Sequence, residues 1–437
     1  MPQKQAARRF IDYRTAVLMV IANMIGTGVF TTLGLLAEAV PDGAALLLLW
    51  ALGGLVALCG ALSYAELAAA LPRSGGEYHF LSRIYHPALG QLAGWVSVTV
   101  GFSAPIALAA MGLGYYVSAV VRWDPMPVAL ATVLGLTALH AFDVGVGRGF
   151  QIWATLIKVA VIGLFCVLGL MVEPAPARLS LEPTGRTLDL VLSAPFALAL
   201  IYVSYAYSGW NAAAYVVDEV QQPQRTVPRA LIHGTLAVTG LYVLLNLTFL
   251  RTIAEPALAG TVEVGALSAQ HILGPQGGAL LSLALSLLLA STISAMVLAG
   301  PRVIQTMGED IPSLRPLAVR NRRGAPTRAV LLQQGLAVLL ILTDSFEAVL
   351  TFAGFTLSLF ALLTVGGLLR LRRGERDLDR PFRVPLYPLP PLLFVTISGL
   401  SLVMVAWERP HSVAVALGLL GVLGLLLWRV SKVRSQA

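Results

Sequence analysis

Three places in this sequence carry groups that an ordinary apolar helix does not need. The first is Ile21-Ala22-Asn23-Met24-Ile25-Gly26-Thr27-Gly28-Val29-Phe30, and the second is Tyr202-Val203-Ser204-Tyr205-Ala206-Tyr207-Ser208-Gly209-Trp210-Asn211. In both, small residues interrupt a long apolar stretch near its middle. The third is Lys158, set in Ala154-Thr155-Leu156-Ile157-Lys158-Val159-Ala160-Val161-Ile162. Where a helix unwinds in a water-free medium, its released N–H and C=O groups must find partners. A zwitterion supplies them. Its carboxylate accepts from N–H groups at a half-helix N-terminus, where the dipole is positive, and its ammonium donates to freed carbonyls. An uncharged sugar gains less from such a site.

The elements that must position these groups follow from composition. Of 437 residues, 57% are hydrophobic and 12% charged, about half the charge of a typical soluble domain. That excludes a soluble globule and a disordered chain. The two cysteines, Cys59 and Cys166, both sit in apolar runs, which excludes a disulfide scaffold. A spanning helix needs about 20 mostly apolar residues. Twelve such stretches are expected, near 14–38, 44–71, 88–120, 126–142, 149–172, 191–218, 229–250, 278–306, 328–343, 346–370, 387–406 and 412–429. The first is too long, and too interrupted by glycine, for a cleavable signal peptide.

Arginine and lysine set the expected orientation. With the N-terminus inside, Lys4, Arg8 and Arg9 fall inside, as do Arg302, Arg315, Arg320, Arg322, Arg323 and Arg328 after span eight. The run from Arg370 to Arg383 after span ten and the C-terminal tail also fall inside. Outside stand only Arg122, Arg178, Arg186, Arg251 and Arg409. Both termini are therefore expected in the cytoplasm. The net charge of +8 is accounted for by topology, and no nucleic-acid partner is expected.

Taken singly, a Gly-x-Gly inside a span only permits close helix packing. The two interruptions, however, fall in spans one and six, each the first of a possible five-span set. Paired breaks at corresponding positions point to a transporter binding site. Lys158 lies about 13 Å along its span, near the middle of a core about 30 Å thick. A charge there costs on the order of 2.5–3.5 kcal/mol, and the depth argues against snorkelling. Its ammonium is expected to donate to carbonyls of the first break and to a hydroxyl on span eight, Ser291 or Ser294. It would then stand where a sodium-coupled carrier holds sodium. Because desolvation penalises a charged amine, the group is a candidate to release and regain a proton.

These residues resemble the amino acid–polyamine–organocation (APC) superfamily of secondary transporters. The resemblance is carried by Ile25 to Phe30, by Tyr64-Ala65-Glu66-Leu67 with Pro72-Arg73-Ser74-Gly75-Gly76-Glu77-Tyr78, by Lys158 and by Ala206 to Asn211. Asp218-Glu219 with Pro223 and Pro228-Arg229-Ala230, and then Gly300-Pro301-Arg302, complete it. It implies an all-α integral membrane fold, a LeuT-like 5+5 inverted repeat with discontinuous helices 1 and 6. Repeat one would cover about 14–172, repeat two about 191–370, and two peripheral helices about 387–429. It implies alternating access, with an amino acid carboxylate at Gly26, Thr27 and Gly28. The ammonium would meet carbonyls near Ile25, Tyr205 and Ser208, with Ala206 and Gly209 completing the second break. Tyr205 resembles the family's aromatic gate, and Lys158 resembles the lysine of members without sodium dependence.

Glu66, Asp218 and Glu219 are expected to pair with loop arginines in a cytoplasmic gate. The segment 251–277 is long enough for an outer lid. The six histidines show no metal-ligand spacing, and no metal or cofactor is expected. The expected function is proton-coupled, sodium-independent import of L-amino acids by a monomeric permease in the cell (inner) membrane. A neutral substrate is expected because no acidic side chain can be placed at the pocket's centre. An exchanger, a cationic amino acid or polyamine carrier, and a non-transporting sensor are the alternatives. A membrane enzyme is disfavoured by the lack of a His, Asp or Glu cluster.

Overall fold

The computed structural model describes residues 11–142, 148–321 and 326–435. Lys4, Arg8, Arg9, Arg322 and Arg323 lie outside the described residues. Within them every named element is helical, and the only β pairing is an isolated bridge between Ile11 and Val220.

The helices begin where the sequence supplies caps. Asp12 opens α1 (Tyr13–Met24) by accepting from the Thr15 N–H at 2.9 Å, which satisfies a donor that the first turn leaves free. The chain continues as α2 (Gly28–Thr31) and α3 (Leu33–Ala39). Asp42 caps α4 (Gly43–Ala70) in the same way, at 2.7 Å from the Ala45 N–H. A short helix α5 (Glu77–Ile84) precedes α6 (Pro87–Val96), a π-helical stretch (Ser97–Ser103) and α7 (Ala104–Val121), which together form one span. Next come α8 (Pro125–Phe142), α9 (Arg148–Met171) and the pair α10 (Gly185–Val191) and α11 (Ala194–Ala206), bent by 66° at the break between them.

The second half holds α12 (Pro223–Thr252), α13 (Glu255–Leu258), α14 (Val264–Asp310), α15 (Arg315–Ala318), α16 (Thr327–Ile341), α17 (Phe346–Gly374), α18 (Leu389–Glu408) and α19 (Pro410–Ser435). Among the described residues, eight helices are long and apolar enough to cross a membrane, and a ninth if the α10–α11 pair counts as one. Three shorter apolar helices, Pro125–His140, Thr327–Ile341 and Val413–Gly424, occupy other expected spans. This is an integral membrane architecture.

Three expected spans differ from what is observed. The stretch 14–38 is three helices, parted at Ile25–Thr27 and at Thr32. The stretch 191–218 ends as α-helix at Ala206, and beyond a turn it continues only as 3₁₀ pieces, Ala212–Tyr215 and Val217–Glu219. Gly209, at φ +98°, stops the helical hydrogen-bond ladder, and Val216 and Val217 do not favour restarting it. The span expected at 278–306 is the inner part of α14, whose earlier turns join it across a kink at Gly274. The outer segment expected as a lid thus contains α13 and the start of α14.

The contacts that matter for function converge on the two breaks. Helix α1 packs against α12, α9 and α14, while α2 packs against α11 and α14. That arrangement brings a span-five side chain to the first break and sets the second break beside it.

Candidate functional site

The first break comes directly after Met24. The Gly26 N–H turns back to the Met24 carbonyl at 2.8 Å, and the chain resumes helix at Gly28. A new helix start leaves its first N–H groups without internal partners, here those of Thr27, Gly28 and Val29. The second break holds Tyr207 to Asn211 in a turn, with the Ser208 N–H on the Tyr205 carbonyl at 2.8 Å.

The two breaks touch backbone to backbone. A Cβ on Gly28 would come within 2.6 Å of the Ala206 Cα, and one on Gly209 within 2.6 Å of the Asn23 carbonyl oxygen. Both distances are far inside van der Waals contact, so neither site admits a side chain. Gly26 is different: a Cβ there would meet only the Thr292 Cγ2, at 3.9 Å. Packing does not require glycine at Gly26, which is also partly exposed.

One hydroxyl joins the breaks. Tyr242 Oη, on α12, lies 2.5 Å from the Met24 carbonyl and 3.3 Å from the Ala206 carbonyl. Tyr242 was not among the sequence candidates, since a tyrosine in an apolar helix carries no signal of its own. Tyr207 Oη donates to the Trp50 carbonyl at 3.0 Å, and Trp210 packs edge-on against Tyr64 with centroids 4.7 Å apart.

Lys158 is 1% exposed. Its Nζ donates to the Ile25 carbonyl at 3.1 Å and to Thr292 Oγ1 at 2.8 Å. Thr292, not Ser291 or Ser294, is therefore the hydroxyl of α14 that meets the amine. Adjacent helical positions turn by about 100°, so Ser291 faces elsewhere and its Oγ is buried without a partner. Ser294 Oγ instead meets His140 Nε2 at 2.8 Å. Among the described residues no carboxylate lies within ion-pair distance of Lys158.

A cavity of about 730 Å³ adjoins the breaks. Asn23, Tyr205, Ser208, Gly209, Trp210 and Asn211 line it, and it extends to Glu219, Arg302, Gln305 and Arg320. Ile25, Gly26, Thr27, Gly28 and Ala206 are not on its wall. Glu77 is also on its wall.

Beyond the breaks lies an ionic layer. Glu66, 1% exposed in its side chain, accepts from Arg372 Nε at 2.7 Å and from the Val384 N–H at 2.7 Å, with Arg380 Nε at 3.4 Å. Glu219 pairs with Arg302 at 3.4 Å. Among the described residues Asp218 pairs with no arginine; it exchanges hydrogen bonds with Ser74, accepting from its N–H at 3.1 Å. Arg73 and Tyr78 both donate to Asp310, and this partnership holds the Arg73 guanidinium above its ordinary value despite its burial. Among the described residues no group of His, Cys, Asp and Glu could hold a metal ion.

An all-helical membrane bundle with two interlocked helix breaks beside an internal cavity defines a membrane carrier rather than an enzyme. The chain belongs to the amino acid permease family, whose profile matches residues 11–422. It is 26% identical over 392 residues to the serine/threonine exchanger SteT of Bacillus subtilis, covering 88% of each chain. It is 27% identical to the human cystine/glutamate transporter, over 94% of this chain and 83% of that one. Its identity to the b(0,+)-type amino acid transporter 1 of Mus musculus is 25%, over 91% and 84%.

Proposed function

We propose that the protein moves neutral L-amino acids across the cytoplasmic membrane by alternating access, coupled to protons and independent of sodium. The supporting observation is the contact of the Lys158 amine with the Ile25 carbonyl inside the first break. An ammonium fixed there takes the place of a bound metal ion, can hand on its proton during the cycle, and ties α9 to a segment that must move. Substrate carboxylate meets the backbone around Gly26, Thr27 and Gly28, and substrate ammonium meets carbonyls near Ile25, Tyr205 and Ser208. Glycine at Gly26, which packing does not demand, lets a ligand approach the backbone.

This reading counts the three shorter apolar helices as spans. That gives twelve, arranged as five-helix repeats over about 14–172 and 191–370 with α18 and α19 peripheral. The arginine distribution supports a cytoplasmic location for both termini and for the Glu219–Arg302 end of the cavity, which on this reading opens inward. Tyr205 closes over the substrate, the Glu66 layer acts as the inner gate, and the carrier works as a monomer.

Exchange is the second reading, favoured by the similarity to a protein named as a serine/threonine exchanger. Proteoliposomes separate the two. Symport predicts uptake into empty vesicles driven by an inward proton gradient. Uptake that needs a preloaded amino acid and ignores the gradient replaces symport with exchange.

A further inference from the structure

The carboxyl group of Glu77 is buried beside the cavity without a basic partner among the described residues. The residue is 6% exposed and sits on the cavity wall. Its Oε1 accepts from Tyr64 Oη at 2.7 Å and from Asn211 Nδ2 at 2.6 Å, and its Oε2 accepts from the Tyr215 hydroxyl. Every one of these partners is neutral. Among the described residues no lysine, arginine or histidine nitrogen comes within ion-pair distance of it. An ionised carboxylate has about four acceptor sites, and three are taken. Buried charges are ordinarily paired, so this one leaves room for a cation entering from the cavity.

The surroundings indicate which cation. Phe102, presented by the π-helical stretch Ser97–Ser103, packs against Tyr215 with centroids 5.8 Å apart. Trp210 packs against Tyr64, and Phe102, Tyr215 and Trp210 all line the cavity. Aromatic faces attract organic cations, whereas a small metal ion asks for a shell of oxygen acceptors that these donors do not offer. Asn211 follows Gly209 by two residues, at most about 7 Å of chain. The side chain that donates to Glu77 therefore springs from the chain close to the second break.

We propose that Glu77, within its ring of Tyr64, Asn211 and Tyr215, forms a subsite for the cationic side chain of a basic amino acid, so that the carrier accepts such substrates beside neutral ones. The proposal rests on the reading of the protein as an amino acid carrier.

The test compares binding of lysine with that of norleucine, its uncharged analogue, to the purified full-length chain in detergent. Wild type is expected to bind lysine at least as tightly as norleucine. In Glu77→Gln the lysine-to-norleucine affinity ratio falls at least tenfold, while Glu77→Asp, which keeps the charge, retains it. An unchanged ratio in Glu77→Gln, or a wild type that binds norleucine but not lysine, overturns the subsite. If Glu77→Gln does not fold, the wild-type comparison alone decides. A wild type that binds no amino acid at all removes the carrier reading, and the subsite falls with it.

Discussion

The amine of Lys158 reaches across to the Ile25 carbonyl at 3.1 Å, in the middle of the first helix break. A carbonyl that its own helix has released is thereby satisfied by a side chain from α9, and a buried ammonium is solvated by a carbonyl and the Thr292 hydroxyl. Each group would be costly to bury alone. Together they tie the break to a neighbouring helix.

Replacing the amine separates this role from folding. Lys158→Met and Lys158→Ala are expected to abolish substrate accumulation in proteoliposomes while leaving the amount of protein in the membrane within about twofold. Wild-type uptake by either variant removes the coupling role of the lysine. Thr292→Val removes the hydroxyl's own 3.4 Å contact with the Ile25 carbonyl but leaves that of the Lys158 amine, and is expected to lower uptake less.

The glycines of the breaks divide into two kinds. Gly28→Ala and Gly209→Ala each force a methyl into a backbone 2.6 Å away, and overpacking of this kind costs on the order of 1–3 kcal/mol or more. At Gly209 the positive φ adds strain. Both variants should melt well below wild type. Gly26→Ala has room and should melt near wild type, yet lose at least tenfold in amino acid affinity. Equal losses of stability at all three positions would mean that Gly26 is a packing residue.

Glu66→Gln leaves Arg372 and Arg380 facing a neutral amide in a largely buried layer. Breaking a buried pair from one side costs about 3–5 kcal/mol. Thermal unfolding in detergent should shift down by several degrees. The exposed pair Arg83–Glu375 serves as a control, because surface pairs contribute only about 0–1 kcal/mol; there Glu375→Gln should change little.

His79, on α5 between two spans, is held neutral by burial and by the nearby Arg73 guanidinium, which push its pKa down to about 4. The folded value lies below the unfolded value of about 6.5. The unfolded chain therefore binds the extra proton first, and stability is full above pH 6.5 and declines as pH falls towards 4. Melting temperature measured between pH 7.5 and 4.5 should drop on acidification, and His79→Gln should flatten that slope. A parallel slope in the variant would assign the acid sensitivity to other groups.

The breaks and the buried lysine were legible because each violates a rule. Glycine and serine do not belong mid-helix, and an ammonium does not belong in hydrocarbon. The apolar stretches were legible for the same reason in reverse, since length and hydropathy are what a bilayer selects. Which side chain faces which neighbour was not. In a span that is apolar on every side, hydropathy gives no helical phase, so Ser291, Thr292 and Ser294 could not be told apart before packing fixed the rotation. Tyr242 and Glu77 were hidden differently. Their importance lies in groups more than 100 residues away in the chain, Met24 for one and Asn211 for the other.

The contacts of Gly28 with Ala206 and of Gly209 with Asn23 bring the two breaks together through backbone and, at Ala206, a single methyl group. Such a junction has no slack. If one unwound segment tilts, the other must tilt with it, as two gear teeth turn together. A displacement of one break would be passed directly to the other.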